Sequence, residues 1–365
     1  MSALGPNRAT ALQDWNWPTV AEAPSAGRGL LKPHGSVVSC RSLVKSATLE
    51  NLLNPSTPSR TALATSLMRA VHSRSDPMPL LSDTWGDRLV PESSQAALRQ
   101  RAMGRIEATK PGLTLDGVQG LDLALRSNPA YAGVILRSRY TEDALKQAVA
   151  SGIGQYVIIG AGFDSFICRR PAWAEGVTII EVDHPATQRL KRERLAACGV
   201  TVPSSVEFVE ADLSIEALGT ALTRSSFQGD RLTFFSWLGV TTYLTREANL
   251  KALRSIATCA PAGSEMVFTY VDEAILSPDH AVDDEFRRLK NNVAAAGEAF
   301  LSGFDPRTMN DLLLETDLLL LEDLDGNQAA ARYDAAGLNG FRTSAAAHIA
   351  HVRRIAADQL AQNGQ

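Results

Sequence analysis

The chain has 365 residues, 45% hydrophobic and 21% charged, with a formal net charge of -4; that is a globular composition with room for a large core, and it excludes a disordered chain. A balance of 36 Lys and Arg against 40 Asp and Glu argues against a protein that lives on phosphate backbones, because such binding needs a clustered basic surface. No apolar run approaches the ~20 residues that span a bilayer, so neither nucleic acid nor membrane is an expected partner. Residues 1–30 carry Asp14, Glu22 and several prolines where a secretory signal would be apolar. Cys40, Cys168, Cys198 and Cys259 lie far apart, with neither a zinc spacing nor a disulfide framework. Reduced thiols, no metal site and a cytoplasmic location are the expectation, with a transit peptide in the basic, Ser-rich first 49 residues as the alternative.

Residues 1–58 scatter Pro, Gly and Ser without a sustained period of 2 or 3.6, and read as a poorly ordered leader. From Ser59, Leu63, Leu67 and Ala70/Val71 recur at helical spacing until Asp76-Pro77 and Pro79, and a second helical stretch begins near Ser93. Residues 131–150 form a helix with Leu136, Tyr140, Ala144 and Ala148 at successive i+4 positions and Gly152 beyond its end. Residues 59–150 are thus a helical cap. Strands at 155–160 and 177–182 are apolar and β-branched, as in parallel strands buried on both faces. Between them and the next strand, Pro185 and Gly199 bracket a helix over 185–198. Further strands read at 205–210, 231–237 and 264–271, joined by helices at 214–224 and 245–259, the latter capped by Thr245 and stopped by Pro261. Helices at 280–301 and 306–315 and β runs at 317–322 and 345–352 follow. The alternation predicts an α/β fold: a doubly wound, mostly parallel, Rossmann-like sheet of seven strands with an N-terminal helical cap, over 59–354, and a tail at 355–365.

The strongest local signal is Gly160-Ala161-Gly162-Phe163-Asp164, directly after a predicted strand. Glycines there let backbone N–H groups approach a ligand lying across the strand ends, or simply make a tight turn. Asp183 ends the next strand, at the spacing of a ribose-binding acid, since a carboxylate accepts from both ribose hydroxyls; the other reading, compatible with the first, is a cap for the helix at Pro185. Glu181 sits further back on the same face and reads as structural. A dinucleotide site would prefer glycine at Ser165 and no negative charge at Asp164, where its pyrophosphate would lie. A phosphate-free ligand with a positive group, S-adenosyl-L-methionine, fits better. Asp212 and Leu213 at the end of the third strand suit its adenine, with capping before Ser214 as the other role for Asp212.

The ordered set Ser59-Arg60-Thr61-Ala62, Arg137-Ser138-Arg139-Tyr140, the glycine segment, Glu181-Val182-Asp183-His184-Pro185, Ala211-Asp212-Leu213 and Tyr243-Leu244 resembles the leucine carboxyl methyltransferase family, class I S-adenosyl-L-methionine-dependent methyltransferases that include many bacterial members of unassigned substrate. The resemblance covers about residues 59–354. It implies that Gly160 lies against the cofactor's amino acid end, Asp183 holds the ribose, Asp212 and Leu213 flank the adenine, and Arg137 and Arg60 grip the carboxylate. A bidentate guanidinium suits that last task. Where family members often carry Glu five residues before the tyrosine, this chain has Leu238, so the family's substrate is not carried over.

The expected activity is methyl transfer to a carboxylate or hydroxyl of a small-molecule or peptide acceptor. The alternatives are a catalytically silent S-adenosyl-L-methionine-binding protein and, less favoured, an NAD(P)-dependent oxidoreductase. No catalytic residue is named: an ionised carboxylate acceptor needs no base, and His184 is the one histidine beside the predicted strand ends. His348 and His351, three apart in a predicted strand, should point to opposite faces. Asp283, Asp284 and Glu285 read as a solvated helix face.

Overall fold

A computed structural model describes residues 59–277, 284–295 and 300–356. The leader, Asp283, most of the tail and the side chains of Asp284 and Glu285 lie outside the described residues. Helix α1 (Arg60–Ser75) starts where Ser59 accepts the Ala62 N–H and stops at Asp76, before Pro77. The single turn α2 (Gly86–Leu89), α3 (Glu92–Thr109) and α4 (Gly117–Arg126) complete the first part of the cap. Asp116 and Gln119 form a capping box that fixes the start of α4.

Helix α5 (Tyr131–Ala150) feeds β1 (Gln155–Ile159) through Gly152, whose φ of 101° is a left-handed value natural to glycine. There follow β2 (Thr178–Asp183), α6 (Pro185–Ala197), β3 (Val206–Glu210), α7 (Leu218–Leu222), β4 (Thr233–Trp237), α8 (Arg246–Cys259) and β5 (Glu265–Val271). Helices α9 (Asp284–Ala295) and α10 (Met309–Leu314), strand β6 (Leu318–Asp325), helix α11 (Gly326–Tyr333) and strand β7 (Ala347–Arg354) complete the chain. The seven strands run in the order β3-β2-β1-β4-β5-β7-β6. The first five are parallel and β7 is antiparallel to both its neighbours. This is the doubly wound, mostly parallel sheet read from the sequence.

The differences are local. The helix expected over 214–224 shrinks to Leu218–Leu222, because the Asp212 carboxylate accepts the N–H and hydroxyl of Ser214 and turns the chain first. Of the helix expected over 280–301, Asp284–Ala295 is described as helical, residues 300 and 301 are not helical, and the rest lies outside the described residues.

Packing follows from strands that are apolar on both faces. Every residue of β1 and β4 is buried. On one face Tyr156, Ile158, Phe234 and Val267 meet Leu136, Tyr140 and Ala144 of α5. On the other, Val157, Ile159, Phe235, Trp237 and Phe268 meet Leu253 and Ile256 of α8. Each such side chain contributes ~1.5–3 kcal/mol by leaving water. A third cluster, with Leu67, Val71, Leu98, Leu125 and Ile135, holds the cap together around α5. No helix among the described residues is long and apolar enough to cross a membrane.

Candidate active site

Strands β1 to β4 end at the same edge of the sheet, and the first residues beyond them build the site. After β1 the chain turns at Gly160 (φ 65°) and Gly162 (φ 52°), with the Gly160 N–H donating to the Val182 carbonyl at 2.8 Å. A Cβ on Gly160 would stand 2.5 Å from Val240 beyond β4, and one on Gly162 would stand 3.1 Å from Ala62 of α1. The glycines therefore serve both a left-handed turn and a close approach of two neighbouring segments. The start of α1, and Arg60 with it, is brought against the glycine turn.

Asp183 closes the turn from β2. Its carboxylate accepts the Gly162 N–H on one oxygen and the His184 N–H, at 2.6 Å, on the other. The helix cap is His184, whose Nδ1 accepts the Ala186 N–H at 3.3 Å, so the capping role left open for Asp183 is not the one it has. Burial raises the Asp183 carboxyl above its ordinary value against the pull of these two N–H groups. An ionised carboxylate has about four acceptor sites, so two used by the backbone leave two for a ligand. Asp212 does cap its turn, through Oδ1.

Behind Asp183, the Lys191 ammonium donates to Glu181 Oε2 at 2.5 Å with both side chains buried. Burial pushes the Glu181 carboxyl up to about 7 while Lys191 opposes the shift. Sequence spacing read Glu181 as structural, and its bonding agrees.

The cap supplies Arg137. It lies in the first half of α5, which brings it back to the strand ends, and its guanidinium stands where a Cβ of Gly239, two residues past β4, would be 2.7 Å away. Gly239 has φ 68° and is held by its N–H donating to Thr269 Oγ1 of β5 at 2.7 Å. Among the described residues no carboxylate pairs with Arg137. Burial pulls its guanidinium down to about 10; Tyr243 works against that shift and Arg69 adds to it. A partly buried cation without an anion is costly, and a ligand carboxylate would relieve that cost. Sequence reasoning missed Gly239 as the platform for Arg137, although it is the second residue after a predicted strand, as Gly162 is.

The cap is tied to the glycine turn by a second arginine. Arg69 of α1 donates through Nε to Asp83 Oδ2 at 2.9 Å and through Nη2 to the Phe163 carbonyl at 2.6 Å. Asp83 is fully buried, and Arg69, Arg169 and Ser165 hold its carboxyl below the usual range although burial alone would raise it. Asp164 accepts the Phe166 N–H at 2.7 Å. His348 and His351 face opposite sides of the sheet. The first lies 3.1 Å from Asp323 and the second 3.0 Å from Glu265, so each has its own carboxylate.

The family model for leucine carboxyl methyltransferase matches residues 62–257. YktD of Bacillus subtilis (strain 168), a candidate S-adenosyl-L-methionine-dependent methyltransferase, is 30% identical over 276 residues, 73% of this chain and 88% of YktD. A candidate methyltransferase of the same dependence from Mycolicibacterium gilvum is 30% identical over 58% of this chain and 65% of its own length. Among solved structures, a candidate methyltransferase from Thermobifida fusca superimposes with a TM-score of 0.49 at 12% identity, over 82% of this chain and 96% of that one.

Proposed function

We propose that this chain, which belongs to the leucine carboxyl methyltransferase family and is an S-adenosyl-L-methionine-dependent methyltransferase, methylates an oxygen acceptor, with a carboxylate as the first choice. The observation that carries the proposed cofactor site is Arg137, a guanidinium against Gly239 with no anion among the described residues. In this reading Arg137, assisted by Arg60, takes the cofactor carboxylate in a bidentate fork. Gly160 lets the backbone approach the amino acid end, Asp183 accepts from the ribose hydroxyls with its two remaining acceptor sites, and Asp212 and Leu213 flank the adenine. When bound, S-adenosyl-L-methionine supplies an electrophilic methyl group on a sulfonium.

A carboxylate acceptor is favoured by the state of His184. Its Nδ1 is engaged with the Ala186 N–H, which leaves the histidine beside the strand ends poorly placed to take a proton from a hydroxyl. A carboxylate is already ionised at neutral pH, and the enzyme's task is then alignment. Leu238, in place of the family's glutamate, packs against the core, the one feature that favours a silent binding protein instead. Among the described residues Cys168, Cys198 and Cys259 form no disulfide, which is in keeping with a reducing compartment such as the cytoplasm.

Calorimetry on the purified protein tests the cofactor. S-adenosyl-L-methionine and its demethylated product are expected to bind and NAD not to; NAD binding without S-adenosyl-L-methionine binding overturns the reading. Methyl label transferred to the acceptor is expected to be released by mild base, as from an ester. Label that survives base rules out a carboxylate acceptor.

A further inference from the structure

Trp237 ends β4 with 1% of its surface exposed, and its indole Nε1 has no hydrogen-bond partner among the described residues. A buried donor left unmade costs ~1–3 kcal/mol. Phe234, Phe235 and Phe268 fill neighbouring core positions with no polar atom to satisfy, so packing alone does not call for an indole here.

Trp237 lines a cleft on the α8 face of the sheet. Ile159, its register partner on β1, and Ala248 and Ala252 of α8 give the cleft apolar walls, and Leu213 beyond β3 forms another. The cleft therefore reaches the strand ends where the cofactor site lies. Ser214, Glu216, Lys251 and Ser255 also line the cleft; its apolar walls and the buried Trp237 N–H donor suit a flat heteroaromatic ring carrying a nitrogen lone pair at its edge.

We infer that Trp237 is a specificity-determining residue for the cofactor's purine, its Nε1–H donating to a ring nitrogen of adenine held in this cleft. The inference rests on the cofactor reading above. Leu213 packs on the ring and Trp237 reads its edge. A site built around a buried donor rejects an analogue that lacks the matching acceptor, because the donor is then left unpaired.

The test uses S-adenosylhomocysteine and its 1-deaza, 3-deaza and 7-deaza analogues, each missing one ring nitrogen. They are titrated into the wild type and Trp237→Phe, with thermal unfolding as the check on folding. The wild type is expected to bind one analogue about 3- to 10-fold more weakly than the parent, the range of a neutral hydrogen bond. Trp237→Phe should bind the parent weaker by a similar factor and no longer distinguish it from that analogue. Should Trp237→Phe fail to fold, benzothienylalanine at position 237, which replaces the N–H by sulfur at nearly constant shape, makes the same comparison. Equal binding of all analogues by the wild type, or a preference that survives in the variant, overturns the inference while the cofactor reading stands. Failure of the wild type to bind S-adenosylhomocysteine removes the cofactor reading itself.

Discussion

Asp83→Ala should melt roughly 6–20 °C below the wild type. The substitution leaves Arg69, 6% exposed, as a buried cation with no carboxylate, and breaking such a pair from one side costs ~3–5 kcal/mol, with each kcal/mol worth roughly 2–4 °C in a large domain. It also removes the acceptor of the Trp85 and Gly86 N–H groups, at 3.0 and 3.1 Å. Asp83→Asn retains an acceptor for those groups and should fall between. The double variant Arg69→Met with Asp83→Leu should recover much of the loss, since an apolar pair leaves no stranded charge. The Ser66 hydroxyl, 3.3 Å from the Phe163 carbonyl and 3.1 Å from that of Gly86, has one proton to share between them. A melting temperature for Asp83→Ala within about 2 °C of wild type would show that the pair does not hold the cap on the glycine turn.

The second large effect is on affinity. Arg137→Ala should weaken S-adenosyl-L-methionine binding by ~1.5–3 kcal/mol, the range for hydrogen bonds to charged groups. Arg137→Lys should lose less, retaining the charge but not the fork. Adenosine, which has no carboxylate, should bind all three proteins about equally. The order matters because Arg137 also packs against Gly239. If adenosine loses as much as S-adenosyl-L-methionine, Arg137 supports the loop after β4 and does not hold the ligand.

Much of the sheet was legible because its strands are buried on both faces and read as continuous apolar runs: Gln155–Ile159 and Thr178–Asp183 lie within a residue of expectation. The helix over Pro185–Ala197 was bounded by residues that physically start and stop helices, Pro185 and Gly199, the latter at φ 71°. Helices α4 and α11 were missed although each opens with Asp-Gly-x-Gln, and Asp116 with Gln119 and Asp325 with Gln328 form full capping boxes. There the local signal existed and was passed over.

Other features had no local signal. Arg69 and Asp83 are 14 residues apart, and nothing in either neighbourhood announces a buried pair. The double use of the Asp183 carboxylate depends on Gly162 being folded back across the strand ends. Trp237 reads in sequence as one more aromatic of a core strand. Its unmet N–H is visible only once its neighbours are in place.

A crystal structure of the complex with S-adenosylhomocysteine tests the central claim most directly. The account predicts the ligand's carboxylate within hydrogen-bond distance of both terminal nitrogens of Arg137, its ribose hydroxyls on Asp183 and its adenine beside Leu213. A ligand bound elsewhere, or one at this edge of the sheet with its carboxylate turned away from Arg137, would contradict it.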